Sequence, residues 1–246
     1  MLLAWILGFS LLGSVGALLL AGSLLLFPER TRHLVIPCLV SYATGTLLGA
    51  AFLGLIPHAL RHVPPSSVLP TVLAGILLFF VLEKILLWRH CHEEDCEVHG
   101  GAGTLILIGD AFHNFADGVV LAAAFLTSLP LGIATSLAII AHEIPQEVGD
   151  FAILLDSGYG KSQALVYNVL SSLGTLPGAV LANLFLQEVR GVTPYIMALS
   201  AASFIYIATV DLIPGLHRRV RLAEAARQLL LILAGVGTIM LYQLRQ

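Results

Sequence analysis

Apolar stretches about as long as a bilayer is thick follow one another along the whole chain, at residues 2–27, 33–60, 70–88, 103–127, 130–155, 162–187, 193–214 and 226–244. A helix needs roughly 20 such residues to cross the hydrocarbon layer. Only 11% of the residues are charged, against about 25% in an ordinary soluble domain, so lipid rather than water must wet most of this surface. The expected fold class is all-α: a polytopic membrane protein with eight transmembrane helices, forming one transmembrane domain over residues 1–246. Soluble-enzyme, nucleic-acid-binding and secreted-module readings are excluded. Three cysteines, Cys38, Cys91 and Cys96, do not make a disulfide framework.

Eight crossings put both termini on one side, and the basic residues say which. Arg30, Arg32, Lys84, Arg89, Lys161, Arg218, Arg219, Arg221 and Arg227 flank one set of loops; Arg61, Arg190 and Arg245 flank the other. Lys and Arg near helix ends resist translocation, so the nine-to-three split of the 12 basic residues places both termini outside, in a cell membrane (plasma or inner). The first block lacks a basic leader and is long enough to span, so it reads as a crossing rather than a cleaved signal. The longest connection, residues 89–102, is rich in His, Cys and acid (His90, Cys91, His92, Glu93, Glu94, Asp95, Cys96, Glu97, His99) and is expected to be a cytoplasmic tether. It has the donors to hold a borderline cation transiently, but no fixed zinc-fold spacing.

A short internal repeat pairs Ala51-Phe52-Leu53-Gly54-Leu55-Ile56-Pro57 with Ala208-Thr209-Val210-Asp211-Leu212-Ile213-Pro214, four of seven positions being identical. The two spans run in opposite directions in this topology, as an inverted repeat requires. In so apolar a chain, Leu-Ile-Pro also recurs by chance.

Ionisable side chains at mid-membrane cost ~2.5–3.5 kcal/mol each without a partner, and they concentrate in spans four and five. Span four reads Gly109-Asp110-Ala111-Phe112-His113-Asn114-Phe115-Ala116-Asp117-Gly118; span five reads Ala141-His142-Glu143-Ile144-Pro145-Gln146-Glu147-Val148-Gly149-Asp150. The midpoints of the two blocks, residue 115 and about residue 142, put both clusters deep in the bilayer. Side chains four residues apart share a helix face, which pairs His113 with Asp117, His142 with Gln146, and Glu143 with Glu147. Facing one another, these supply imidazole nitrogens and carboxylate or amide oxygens around a common point. A divalent cation would convert the repulsion among Asp117, Glu143 and Glu147 into coordination. Pro145 frees the Ala141 carbonyl from its helical bond and adds a further oxygen. Helix–helix glue is the bland alternative, and it fits Asn114 alone better than it fits the whole set. Asp110 and Asp150, nearer the cytoplasmic ends, read as supporting or access-path groups.

The pair His113-Asn114-Phe115-Ala116-Asp117-Gly118 and His142-Glu143-Ile144-Pro145-Gln146-Glu147-Val148-Gly149-Asp150 resembles the signature of the ZIP (Zrt/Irt-like) divalent-metal transporters. The eight-span layout, outside termini and His-rich loop after span three are similar too, so the resemblance covers the whole chain. It implies a binuclear site, with His113, Asp117, His142 and Gln146 on the main metal and Asn114, Glu143, Gln146 and Asn168 on its neighbour. It further implies a homodimer and zinc as the substrate. Nitrogen and oxygen donors without thiolate also suit Fe2+, Mn2+ or Cd2+, and not Cu(I). Two departures stand out. Gln146 replaces the second His of a His-Glu-x-Pro-His-Glu fifth helix, and Ala50 and Gly54 stand where span two of the family often has an acid and a His, leaving His58 near the outer mouth. An alternative from the same residues is an intramembrane zinc metalloprotease, since His142-Glu143-x-x-Gln146 is one residue short of His-Glu-x-x-His. Against it stand Gln as second ligand, Pro145 inside the motif helix, and ligands on span four that such a protease would not need.

Overall fold

The computed structural model describes residues 1–88, 102–188, 190–217 and 222–243, and every regular element among them is helical. The expected tether at 89–102 lies, apart from Ala102, outside the described residues. The helices are α1 (residues 2–25), α2 (Glu29–Leu60), α3 (Pro65–Trp88), α4 (Ala102–Thr127), α5 (Leu129–Asp156), α6 (residues 161–188), α7 (Thr193–His217) and α8 (Leu222–Gln243). Seven of them are long and apolar enough to cross a membrane. The exception is α5, which at 28 residues has ample length but carries the polar run from His142 to Asp150. Helices α1, α2, α4, α6 and α8 all pack against it, and that enclosure lets a helix with so many polar groups sit inside an apolar bundle.

The connections are short and chemically marked. Ser128 alone separates α4 from α5; its hydroxyl accepts the Leu131 N–H at 3.3 Å and Pro130 follows in the first turn, a normal helix start. Pro28 precedes α2 and Pro65 opens α3. At the other end of α5, Gly158 takes a φ of +88°, reversing the chain in a conformation that a side chain would disfavour.

Small residues set the closest contacts. A Cβ on Gly118 of α4 would overlap the Thr175 carbonyl oxygen of α6, and one on Gly178 of α6 would overlap that of Phe115 in α4. The same reciprocity joins α2 to α8, where Gly45 meets the Ile232 carbonyl and Gly235 meets that of Tyr42. Lipid-immersed helices gain little from hydrophobic exclusion, so close backbone approach is what holds them together. The α4–α6 contact fixes one wall of the polar cluster.

Three helices contain a π-helical stretch: Leu12–Gly16 in α1, Ala50–Leu55 in α2 and Ile207–Leu212 in α7. The last two coincide with the sequence repeat in register, each followed by Ile-Pro (Ile56-Pro57 and Ile213-Pro214). Proline lacks an N–H and crowds the carbonyl four residues back, so the turn ahead of it widens. The repeat is therefore structural as well as textual. Helix α6 is interrupted instead at Leu173-Gly174, where a Gly174 Cβ would press on the Ala111 carbonyl at 2.7 Å.

Candidate metal centre

The turns of α4 and α5 that face each other bring four side chains to one point. His113, Asp117, His142 and Glu143 each offer a donor atom, and all four donors lie within 4.8 Å of one another. His113 Nε2 is 3.1 Å from His142 Nε2, 3.4 Å from Glu143 Oε1 and 3.8 Å from Asp117 Oδ2. His142 Nε2 is 3.2 Å from Asp117 Oδ2 and 3.5 Å from Glu143 Oε1. Asp117, His142 and Glu143 are buried, while the His113 side chain keeps 20% of its surface open, leaving one approach to the cluster.

One hydrogen bond settles how His142 presents itself. Its Nδ1 lies 3.0 Å from the Ala138 carbonyl, which can only accept, so Nδ1 carries a proton and Nε2 is the atom turned into the cluster. Both oxygens of Asp117 and both of Glu143 are buried without a hydrogen-bond donor. Two buried carboxylates this close repel each other unless a proton or a cation stands between them. A His Nε2 oriented by Nδ1–H to a carbonyl is also the usual preparation of a metal-binding imidazole.

Beside this cluster lies a second polar group, with different partners from those the sequence reading assigned. Asn114 is tied at both ends: its Nδ2 donates to Asp110 Oδ1 at 2.9 Å, and its Oδ1 accepts from Thr175 Oγ1 at 2.9 Å. Gln146 Nε2 donates to the same Asp110 Oδ1 at 3.2 Å, so Gln146 sits against Asp110 while Glu143 stands with the histidines. Asn168 donates from Nδ2 to Glu147 Oε2 at 2.6 Å and keeps its buried Oδ1 without a partner. Glu147 Oε1, Asp110 Oδ2 and Asp150 Oδ2 are likewise buried with no donor. The eight expected residues are thus divided into His113, Asp117, His142 and Glu143 at one point, Asn114 and Gln146 around Asp110, and Glu147 with Asn168.

Sequence reasoning gave Thr175 no part, because a threonine after a glycine in an apolar run carries no distinctive pattern. It also passed over the contact between the Tyr206 hydroxyl of α7 and the Glu83 carboxylate of α3. Glu83 could have been found by the rule that drew attention to α4 and α5, as an acid inside an otherwise apolar span.

The model of the ZIP zinc transporter family matches residues 88–243, which include both polar helices. The chain is 36% identical over 224 residues to the zinc transporter ZIP13 of Pongo abelii, covering 84% of this chain and 66% of that one. It is 31% identical over 301 residues to the zinc transporter zipt-7.1 of Caenorhabditis briggsae, covering 93% of this chain and 77% of that protein. To the zinc transporter ZIP10 of Danio rerio it is 38% identical over 144 residues, 56% of this chain and 17% of the other. The chain therefore spans about two thirds of the length of that ZIP13 and about a sixth of that ZIP10.

Proposed function

This chain belongs to the ZIP zinc transporter family, and on that footing we propose that it is an integral membrane transporter carrying a divalent transition metal, zinc first, through the cluster on α4 and α5 into the cytoplasm. The observation that carries the reading is the cluster itself: two imidazoles and two carboxylates whose donor atoms lie within 4.8 Å of one another, with all four carboxylate oxygens buried and without hydrogen-bond partners. Such a set is costly when empty and favourable when it surrounds a cation.

In this reading His113, Asp117, His142 and Glu143 hold the main ion, Glu143 taking the place that the sequence gave to Gln146. A binuclear arrangement remains part of the proposal. A neighbouring ion would draw on Glu143, Asn114, Gln146, Glu147 and Asn168, of which Asn168 Oδ1 and Glu147 Oε1 already lack partners. Fe2+, Mn2+ and Cd2+ fit the same donors less selectively. Helix α5 counts as the eighth crossing, both termini lie outside, and residues 89–102 form a cytoplasmic loop; the basic-residue asymmetry supports these three points together. The membrane is the cell membrane, plasma or inner. The apolar outer faces of α3 and α8, with little of their surface buried within the chain, are open to lipid or to a second copy in a homodimer.

The protease alternative gains no support. Glu143 Oε1 stands 3.5 Å from His142 Nε2 and 3.4 Å from His113 Nε2, in the position of a ligand, while Gln146 is engaged by Asp110. The deciding experiment is uptake of a panel of divalent metals by proteoliposomes holding the full chain, with His142→Ala as control. Metal accumulation in the wild type and its loss in the variant are expected; no uptake of any metal would overturn the reading.

A further inference from the structure

We propose that His58 and His62 form a second, separate divalent-cation site at the end of α2, where the chain turns into α3. His58 lies in the last turn of α2 and His62 in the turn just past its end at Leu60, where the two rings still come to one face. Their rings lie 4.8 Å apart, centroid to centroid, with planes 30° from parallel. Two imidazoles that bind one ion at ~2.1 Å bring their centroids to about 5 Å, so the separation of the two rings matches that of a chelating pair.

The second observation concerns the tautomer. His62 Nδ1 lies 3.0 Å from the His58 carbonyl oxygen, an atom that only accepts. Nδ1 therefore carries the proton and Nε2 offers its lone pair, the same orientation by an i−4 carbonyl that prepares His142 in the buried cluster. The backbone beneath is held firmly: Leu55 and Ala59 are fully buried, and Gly54 backs onto Leu131 of α5 and Gln243 of α8. His58 is half-buried and His62 exposed, so water can complete the coordination shell and the ion can leave.

This site is distinct from the central one. Gly54 lies level with Leu131, His142 is eleven residues further along α5, and His58 is one turn beyond Gly54 in the opposite sense; at 1.5 Å per residue the two sites are roughly 20 Å apart. Two neutral ligands beside Arg61 make a weak, exchanging site, suited to gathering ions at a mouth. The loading role rests on the transport reading; the binding itself does not.

The competing explanation is that His62 merely caps the helix through Nδ1, a role in which Nε2 takes no part. Equilibrium dialysis separates the two, using the detergent-purified full chain in a background where His90, Cys91, His92, Cys96 and His99 are Ser. With Zn2+ and Ni2+ as probes, His58→Ala with His62→Ala should lose one bound ion, and His142→Ala a different one. His62→Val with Val63→His, which keeps the composition but moves the ring off the shared face, should lose the first ion as well. Unchanged stoichiometry and affinity in the His58/His62 variants would overturn the site and leave His62 a cap. In proteoliposomes the same double variant should raise the apparent KM for zinc several-fold, and identical uptake at every metal concentration would overturn the loading role. A wild-type chain that moves no metal would refute the transport reading instead, with the dialysis result still standing.

Discussion

The Nε2 atoms of His113 and His142 stand 3.1 Å apart, one from α4 and one from α5, close enough to share a single proton or a single cation. Because His142 Nδ1 is committed to the Ala138 carbonyl, its ring cannot escape the contact by exchanging tautomers without losing that bond.

The first prediction follows from that contact. His113→Ala and His142→Ala should each lower uptake of every metal by ~10-fold or more, because each removes a nitrogen donor and leaves Asp117 and Glu143 facing each other uncompensated. Uptake of zinc, manganese and iron(II) at matched expression tests this. Selective loss of one metal would mean that the two rings belong to different ions.

Glu143 separates ligand from general base. Glu143→Gln removes a charge but keeps an oxygen, so metal binding should weaken and uptake fall, while a co-reconstituted transmembrane helix should stay intact with wild type and variant alike. Cleavage by the wild type, absent in the variant, would revive the protease.

Gln146 is engaged by Asp110 rather than by the four-donor cluster. An imidazole at 146 would bring a donor of greater affinity for borderline metals to the neighbouring position. Gln146→His should therefore shift preference toward zinc over manganese and iron(II), raising apparent affinity and lowering maximal rate, since a site that binds too well releases slowly. Competition uptake is the measurement; an unchanged ranking would place residue 146 out of reach of the ion.

Packing gives a prediction independent of metal. Gly118→Ala pushes a methyl into the Thr175 carbonyl and should cost ~1–3 kcal/mol, seen as a lower unfolding temperature in detergent. Gly8→Ala, where a Cβ meets nothing within 4 Å, should be neutral or slightly stabilising. Equal effects would remove the α4–α6 contact as the reason for glycine at 118.

Topology has its own test. In a Cys38→Ser background, an impermeant thiol reagent added outside intact cells should leave Cys91 and Cys96 unlabelled and label them after permeabilisation. Labelling from outside would invert the whole arrangement.

The all-helical bundle and the polar cluster on α4 and α5 were legible because both are written in single helices: apolar runs set the spans, and the i, i+4 rule pairs His113 with Asp117. What lay across helices was not legible. Whether Glu143 or Gln146 joins the histidines depends on the rotation of α5 against α4, which is set by contacts such as Gly118 on Thr175. Side-chain spacing within α5 alone allows either. The same limit hid Thr175 on Asn114 and Tyr206 on Glu83, bonds between residues 61 and 123 positions apart. His62 escaped for a different reason: His58 had been weighed as a solitary donor, and its partner four residues on lies beyond the apolar block.

The matched widened turns in α2 and α7 also bear on how chain length can change. An α-helix advances about 100° per residue, so deleting one residue from an ordinary span turns everything beyond it to the wrong neighbour. A π-helical turn already holds one residue more than its length requires. At Ala50–Leu55 and Ile207–Leu212 that surplus can be removed and the α-helical register restored, with the faces on either side still pointing where they did. With Leu12–Gly16 in α1, these stretches are where a span holds a residue that its α-helical register does not need.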